Sequence, residues 1–231
     1  GTVLVGSHAG TAINSTDANY TVAIGYYAGA NITNGRYNTA LGYHALVSED
    51  DGDQNTAIGY SSLQSQTGTS GTVGNTAVGY NSGLNITTGN LNTMIGANAQ
   101  QYNIVGVRNT TVGNLSGQNL QGSDTTAIGN QAGTFATGSE NTFVGSQAGK
   151  GNQSAPFSSG QYNTAVGYRA LEEFTTGGYN AILGQEAGEK ITSGETNSIL
   201  GYRAGRNITT GASNVVIGSE AQRDENVTGT V

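Results

Sequence analysis

The chain of 231 residues contains no cysteine, a single proline and few charged residues. Without cysteine it can form neither a disulfide framework nor a thiolate metal site. Its net charge is −7 and only 10 % of its residues are charged, so it lacks the basic stripe that a nucleic-acid partner requires. No apolar run approaches the ~18 residues of a membrane span. We therefore expect no nucleic-acid partner and no membrane insertion.

Glycine, asparagine and threonine dominate the composition instead, with 38, 25 and 30 residues. Leu, Ile, Val and Phe together number 43, which is few for a globular core. A disordered chain would combine so few apolar residues with many charges and prolines. Since this chain has neither, its composition is typical of a repetitive β structure.

A short motif of the form Asn-Thr-Ala-(Leu/Ile/Val)-Gly recurs along the whole chain. It runs from Asn38 to Gly42 and returns from Asn55 to Gly59 and from Asn75 to Gly79. Thirteen copies recur with a modal period of 17, because the motif glycines stand at positions 6, 25, 42, 59, 79, 96, 113, 129, 145, 167, 184, 201 and 218. Seventeen residues with two short strand-like pieces describe one coil. We predict an all-β fold, a parallel β-solenoid of about 13 coils that forms a single repeat domain over residues 1–231.

The residue types at three positions of the repeat predict how successive coils pack and turn. The motif Asn should stack on its equivalents as an amide ladder. The residue three places after the motif Gly never exceeds Ser in size, so another part of the chain should pack closely against it. A second Gly, such as Gly35 or Gly52, stands three residues before the next Asn. Both glycines are expected to form tight turns with positive φ. Extra residues occur only between the small residue and the next Asn, at residues 10–20, 63–74 and 149–162.

The strand alternation suggests how copies of the chain associate. Thr39 and Leu41 share one face of the strand and Ala40 lies on the other. We place Leu41 and its equivalents in the core of the coil. The Ala40 position is also apolar and becomes Ile182 and Ile199 in later copies. It should be covered by another subunit, and an intertwined or side-by-side homotrimer is the simplest closed arrangement.

The repeats that begin at Asn38 and their twelve relatives resemble a known class of fibre proteins. They are similar to the head repeats of trimeric autotransporter adhesins, and more similar to the Asn-Thr-Ala-x-Gly-Tyr-x-Ala arrays of phage tail fibres. The resemblance covers roughly residues 2–222. It implies a left-handed β-roll, a trimer and a role in surface attachment. The period differs, because adhesin heads mostly repeat every 14 residues.

Exposed aromatic residues are the first candidate for a binding site. Tyr26, Tyr43, Tyr60 and Tyr80 occupy the same position in four consecutive coils and should form an aromatic ladder. The ladder has two interpretations, a structural stack or a sugar-binding strip. A second candidate is Phe157, beside Pro156 in the longest insertion, Lys150–Gln161, since loops on rigid scaffolds commonly carry binding.

Charged residues give two further hypotheses. Asp50, Asp51 and Asp53 surround a Gly turn and could hold Ca²⁺, or they form a solvated acidic turn. In the last four copies the position two places after the motif Gly alternates in sign. This predicts a charge column formed by Arg169, Glu186, Arg203 and Glu220. Arg206 lies outside this column.

The sequence favours a structural and adhesive function and no enzymatic one. The histidines His8 and His44 sit at equivalent positions in different coils, and adjacent Glu172 and Glu173 would point to opposite faces of a strand. We expect an extracellular segment of a viral tail fibre or cell-surface fibre that attaches to a host-cell receptor or glycan. The alternative is an ice-binding solenoid, suggested by the threonine pairs Thr87-Thr88, Thr175-Thr176 and Thr209-Thr210.

Overall fold

The structure, a computed structural model, describes residues 1–13, 20–68, 71–154 and 156–222. It is all-β, with parallel strands in a β-solenoid of about 12 turns and a period of about 17 residues. The predicted fold class is therefore confirmed, whereas the trimer and the handedness stay predictions. The chain divides into two compact units, Gly1–Asn114 and Leu115–Val231.

The strands of the solenoid are three residues long in both units. In the first unit they are β1 (Val3–Val5), β2 (Val22–Ile24), β3 (Thr39–Leu41), β5 (Thr56–Ile58), β7 (Thr76–Val78), β8 (Thr93–Ile95) and β9 (Thr110–Val112). Two further strands, β4 (Gly52–Asp53) and β6 (Gly71–Thr72), pair with each other. In the second unit the strands are β10 (Thr126–Ile128), β11 (Thr142–Val144), β12 (Thr164–Val166), β13 (Ala181–Leu183), β14 (Ser198–Leu200) and β15 (Val215–Ile217).

Within each unit, every motif strand pairs in parallel with its equivalent in the next coil. Thr39, Ala40 and Leu41 lie opposite Thr56, Ala57 and Ile58, and the strands of the second unit pair in the same register. Insertions of two, three and five residues between motifs leave this register unchanged. The motif therefore sets which residues stack, as the sequence predicts.

The assignment of the two strand faces from the sequence is wrong. The middle strand residue points into the coil: Ala40 and Phe143 have no exposed surface, and Ile199 is only 2 % exposed. The third residue points outward, with Leu41 41 % exposed. The coil is so narrow that Ala fills most of its inner positions, and larger residues enter where the opposing residue is small. Ile199 is thus a core residue and does not lie on a surface that awaits another subunit.

Each coil closes its core with three more inward positions. The small residue three places after the motif Gly is fully buried, as at Ala45 and Ala187, which confirms the predicted close packing. Two further positions hold large apolar side chains in several coils, such as Leu171 and Ile191, whereas other coils have glycine at the first or a polar residue at the second. The resulting cores are continuous within each unit.

The amide ladder forms as predicted and holds successive coils together. The side-chain oxygen of Asn180 accepts a hydrogen bond from the backbone N–H of Asn197 at 3.0 Å, and the Asn197 amide donates to the carbonyl of Gly211 at 2.9 Å. These asparagines are buried, so each bond satisfies a polar group that water cannot reach.

The two glycines of a copy differ in backbone conformation, which corrects the expectation of two positive-φ turns. The motif glycines of adjacent coils stack with φ between 125° and 140°, as in Gly42. The second glycine, such as Gly177, does not have a positive φ. A Cβ added at Gly177 would lie 2.4 Å from the carbonyl oxygen of Gly194 in the next coil. Close approach of two backbones is therefore what requires glycine there.

The insertions fold back onto the coils beside them. In the insertion at residues 63–74, Gln66 and Val73 are buried and Gly68 donates its backbone N–H to the Glu49 carboxylate. Residues 14–19, 69–70 and 155, which belong to the three predicted insertions, lie outside the described residues.

Candidate functional site

The predicted tyrosine ladder forms on the outer surface of the first unit. Each motif Gly ends its strand, and the residue that follows begins the turn on the outside of the coil. Ring centroids are 5.4 Å apart between Tyr26 and Tyr43, 4.9 Å between Tyr43 and Tyr60, and 5.3 Å between Tyr60 and Tyr80, with interplanar angles of 16°, 4° and 17°. The rings therefore face one another, and each inner ring presents mainly its edge and hydroxyl to solvent.

A second rank of rings lies beside the first end of this ladder. His44 stacks on Tyr43 with centroids 4.1 Å apart, and His8 stacks on Tyr27 at 4.5 Å. His8 and Tyr27 both meet Tyr26 edge-on, at 77°. Both histidines are thus members of an aromatic cluster.

Two more tyrosine pairs were not anticipated from the sequence. Tyr20 stacks on Tyr37 with centroids 5.3 Å apart, and Tyr162 stacks on Tyr179 at 4.8 Å. All four have positive φ. Tyr37, Tyr162 and Tyr179 stand directly before a ladder asparagine, and this shared offset could have revealed the stacking. The pKa of Tyr162 is raised, chiefly by the negative charge of Glu140.

Phe157 packs against the solenoid surface. Its ring stacks on Phe135 with centroids 5.7 Å apart, and the neighbouring Ser158 exchanges backbone hydrogen bonds with the preceding coil. Pro156 and Ser154 are exposed beside it. The loop thus presents a polar edge, and its role in binding stays a prediction.

The acidic run at residues 49–53 is occupied by hydrogen bonds within the fold. Asp51 accepts from the Thr33 hydroxyl at 2.9 Å and the Asn34 amide at 2.7 Å, while Asp53 accepts from the Arg36 backbone N–H at 2.7 Å. Among the described residues no group of three or more His, Cys, Asp or Glu side chains could hold a metal ion. The calcium hypothesis for Asp50, Asp51 and Asp53 gains no support from this geometry.

Glu49, the first residue of this run, is a buried carboxylate in a position that several other coils fill with isoleucine. It has no exposed surface and accepts backbone hydrogen bonds from Asp50, Gly52 and Gly68 at 2.8–3.1 Å. Burial raises its pKa, and the hydrogen bonds from Gly52, Gly68 and Asp50 oppose that rise. Glu49 therefore fixes the following insertion to the coil.

The predicted charge column has the expected register but different ion pairs. Arg203 donates to Glu186 at 2.7 Å, and this hydrogen bond is the main cause that lowers the pKa of Glu186. Arg169 instead pairs with Glu172 and, at 2.9 Å, with Glu189. The column is one side of a broader network on the second unit.

Arg206, which the sequence placed outside the column, belongs to this network. Its guanidinium pairs with Glu189 and lies 3.6 Å from Glu186. Glu189 is 2 % exposed and is held by two arginines, Arg169 and Arg206. Arg206 therefore lies outside the column, as predicted, but it contacts a member of the column, Glu186, because a turn brings the position five places after the motif Gly next to the column.

The strand face carries the most extensive exposed apolar surface. We call the outward third strand residues the aliphatic file. In the first unit they are Val5, Ile24, Leu41, Ile58, Val78, Ile95 and Val112, and in the second Ile128, Val144, Val166, Leu183, Leu200 and Ile217. Beside the file of the second unit lies an apolar groove of about 400 Å³. Ile217 is 68 % exposed at one end of it.

Comparison of the chain with protein-family models, curated proteins and solved structures finds no match. Among the described residues there is no helix of the length and hydropathy needed to cross a membrane.

Proposed function

We propose that this chain is a structural and adhesive segment of a fibre, part of a viral tail or a cell surface, that acts outside the cell and attaches to a host-cell receptor or glycan. The observation that supports this most is the aliphatic file. A single copy leaves leucine, isoleucine and valine side chains on the strand face of both units. Exposed apolar surface of this regularity is typical of an interaction site.

Another copy of the chain is the occupant that suits this surface best. Each copy carries the same file at the same coil spacing of ~4.8 Å, so identical files can lie side by side in register. A closed ring of three copies would bury all three files around one axis. Three copies would also present every attachment site three times, which raises the avidity of weak contacts.

Light scattering of the intact protein tests the assembly. A trimer should have a mass of about 70 kDa, three times 23.4 kDa. Leu200→Glu should lower that mass, because it would place a charge in the apolar interface. Ser193→Glu, an equally exposed position off the strand face, serves as the control and should leave the mass unchanged. A wild-type mass of 23.4 kDa would contradict the proposal.

Ice binding stays as the second candidate, but on different threonines. The hydroxyls of Thr87, Thr175 and Thr192 donate to carbonyls of the next coil, so this loop position has a structural use. The first strand residues form a better rank beside the file: from β3 to β9 of the first unit, the five motif strands begin with Thr39, Thr56, Thr76, Thr93 and Thr110. This rank and the trimer would use the same face. A thermal-hysteresis assay separates ice binding from trimer formation, because ice can bind the threonine rank only when the strand face is not covered by other copies.

A further inference from the structure

The tyrosine ladder ends abruptly at Tyr80, inside the first unit. Tyr60 covers one face of the Tyr80 ring. In the next coil the equivalent position is Ala97, whose neighbour Asn98 donates its backbone N–H to the Tyr80 carbonyl at 2.8 Å. A methyl group thus stands where a fifth ring would continue the ladder. Tyr80 is accordingly the most exposed of the four tyrosines, at 53 %.

The two ends of the ladder differ in this respect. At the other end, the edges of His8 and Tyr27 meet the Tyr26 ring. Along the ladder, Tyr43 has a ring on each side. The equivalent position in the coil before Tyr26 is also small, Ser7, but the Tyr26 ring contacts several neighbouring rings. Among the four ladder rings of the described chain, Tyr80 is the one that contacts a single other ring, Tyr60.

Three asparagines lie on the coil of Ala97 and on the coils next to it. Two coils on from Tyr80, the exposed Asn114 donates its side-chain amide to the Ala97 carbonyl at 3.3 Å. Asn81 and Asn98 follow Tyr80 and Ala97 directly and are half-buried. Coils are ~4.8 Å apart, so about two spacings separate Tyr80 from Asn114. That distance leaves room for one flat ring.

Charge is absent from this part of the sequence. Residues 54–107 contain no Asp, Glu, Lys, Arg or His. A ligand recognised here would gain nothing from a carboxylate, sulfate or phosphate group. An aromatic face beside amide donors and acceptors matches the apolar face and the hydroxyls of a neutral sugar.

We propose that Tyr80, Ala97, Asn98 and Asn114 form a subsite for one pyranose ring of a neutral glycan, which stacks on Tyr80 in the place of the missing fifth tyrosine. This inference rests on the proposed attachment function and assigns its glycan contact to the end of the ladder, whereas the inner rings act as structural supports.

The test compares the wild type with three variants on an array of neutral oligosaccharides of glucose, galactose, mannose and N-acetylglucosamine. The strongest binder is then titrated in solution. Tyr80→Ala should weaken binding by about tenfold or more, because the stacking face is lost. Ala97→Leu should do the same by filling the space while keeping the tyrosine. Tyr37→Ala is the matched control, since Tyr37 is also 53 % exposed and stacks on one ring.

Loss in the first two variants with retention in Tyr37→Ala would support the subsite. Equal binding by all four proteins would overturn it and leave attachment to another surface of the fibre. Absence of binding by the wild type would also overturn the proposed subsite. The light-scattering mass would still test, independently, whether the chain assembles as a trimer. Circular dichroism of each variant verifies the fold.

Discussion

Reversing the charge of Arg206 should destabilise the second unit more than any exposed charge reversal on the same arc. Arg206 pairs with Glu189 and lies 3.6 Å from Glu186, and these carboxylates are 2 % and 6 % exposed. Arg206→Glu would remove the pairing and bring a third carboxylate against two that are already buried.

The expected magnitude follows from this burial. Exposed ion pairs contribute about 0.2–1 kcal/mol, whereas removal of one partner of a buried pair costs about 3–5 kcal/mol. The guanidinium side is about a third exposed and Arg169 still holds Glu189, so we expect roughly 2–3 kcal/mol. At ~2–4 °C per kcal/mol for a chain of this size, Tm should fall by about 4–12 °C.

Thermal unfolding followed by circular dichroism measures the effect. Lys190→Glu is the control, since Lys190 is exposed and its reversal changes the net charge equally. Arg203→Glu should fall between the two, because Arg203 pairs with Glu186, which is more exposed than Glu189. If Arg206→Glu lowers Tm no more than Lys190→Glu, the network does not stabilise the fold as argued.

Three further predictions concern single sites. Because burial raises the pKa of Glu49 above 4.5, the stability that Glu49 contributes is fully present below its unfolded pKa and is lost as pH rises through its folded pKa. Glu49→Gln should flatten this decline in urea unfolding as pH rises above 4.5, and an unchanged slope would refute it. Ile182→Ala should lower the free energy of unfolding by about 2–5 kcal/mol, as expected for a core residue; a loss below ~1 kcal/mol would mean that the face assignment is wrong. Phe157→Ala should cost about 0.5–1.5 kcal/mol through the lost stack on Phe135 and reduce attachment to host cells, and unchanged attachment would remove the binding role of the loop.

The features that depend on stacking could be read from the sequence. Identical residues at a fixed offset must meet when coils stack, so the asparagine ladder, the buried small residue and the ladder from Tyr26 to Tyr80 all follow from the period alone. The register of Arg203 and Glu186 follows in the same way.

The features that depend on the path of the chain within a coil could not be read from the sequence. Both Ala40 and Leu41 are apolar, so alternation could not indicate which one points inward, and size suggested the wrong answer for so narrow a coil. No residue type marked the left-handed backbone at Arg169, Glu186 and Arg203, whose φ is 54–56°. That turn brings Arg206 to Glu186. The repeat period predicts contacts between residues at the same offset, and Arg206 and Glu186 stand at different offsets from their motif glycines.

Disulfide cross-linking at the aliphatic file tests the proposed assembly most directly. The chain has no cysteine, so a single introduced thiol can react only with its copy in another chain. Cross-linking requires Cα atoms within about 7 Å, a distance that files packed around one axis would meet. Leu200→Cys should form linked chains on mild oxidation, and Ser193→Cys, off the strand face, should not. Linkage through Ser193→Cys but not Leu200→Cys, or through neither, would contradict the fibre assembly.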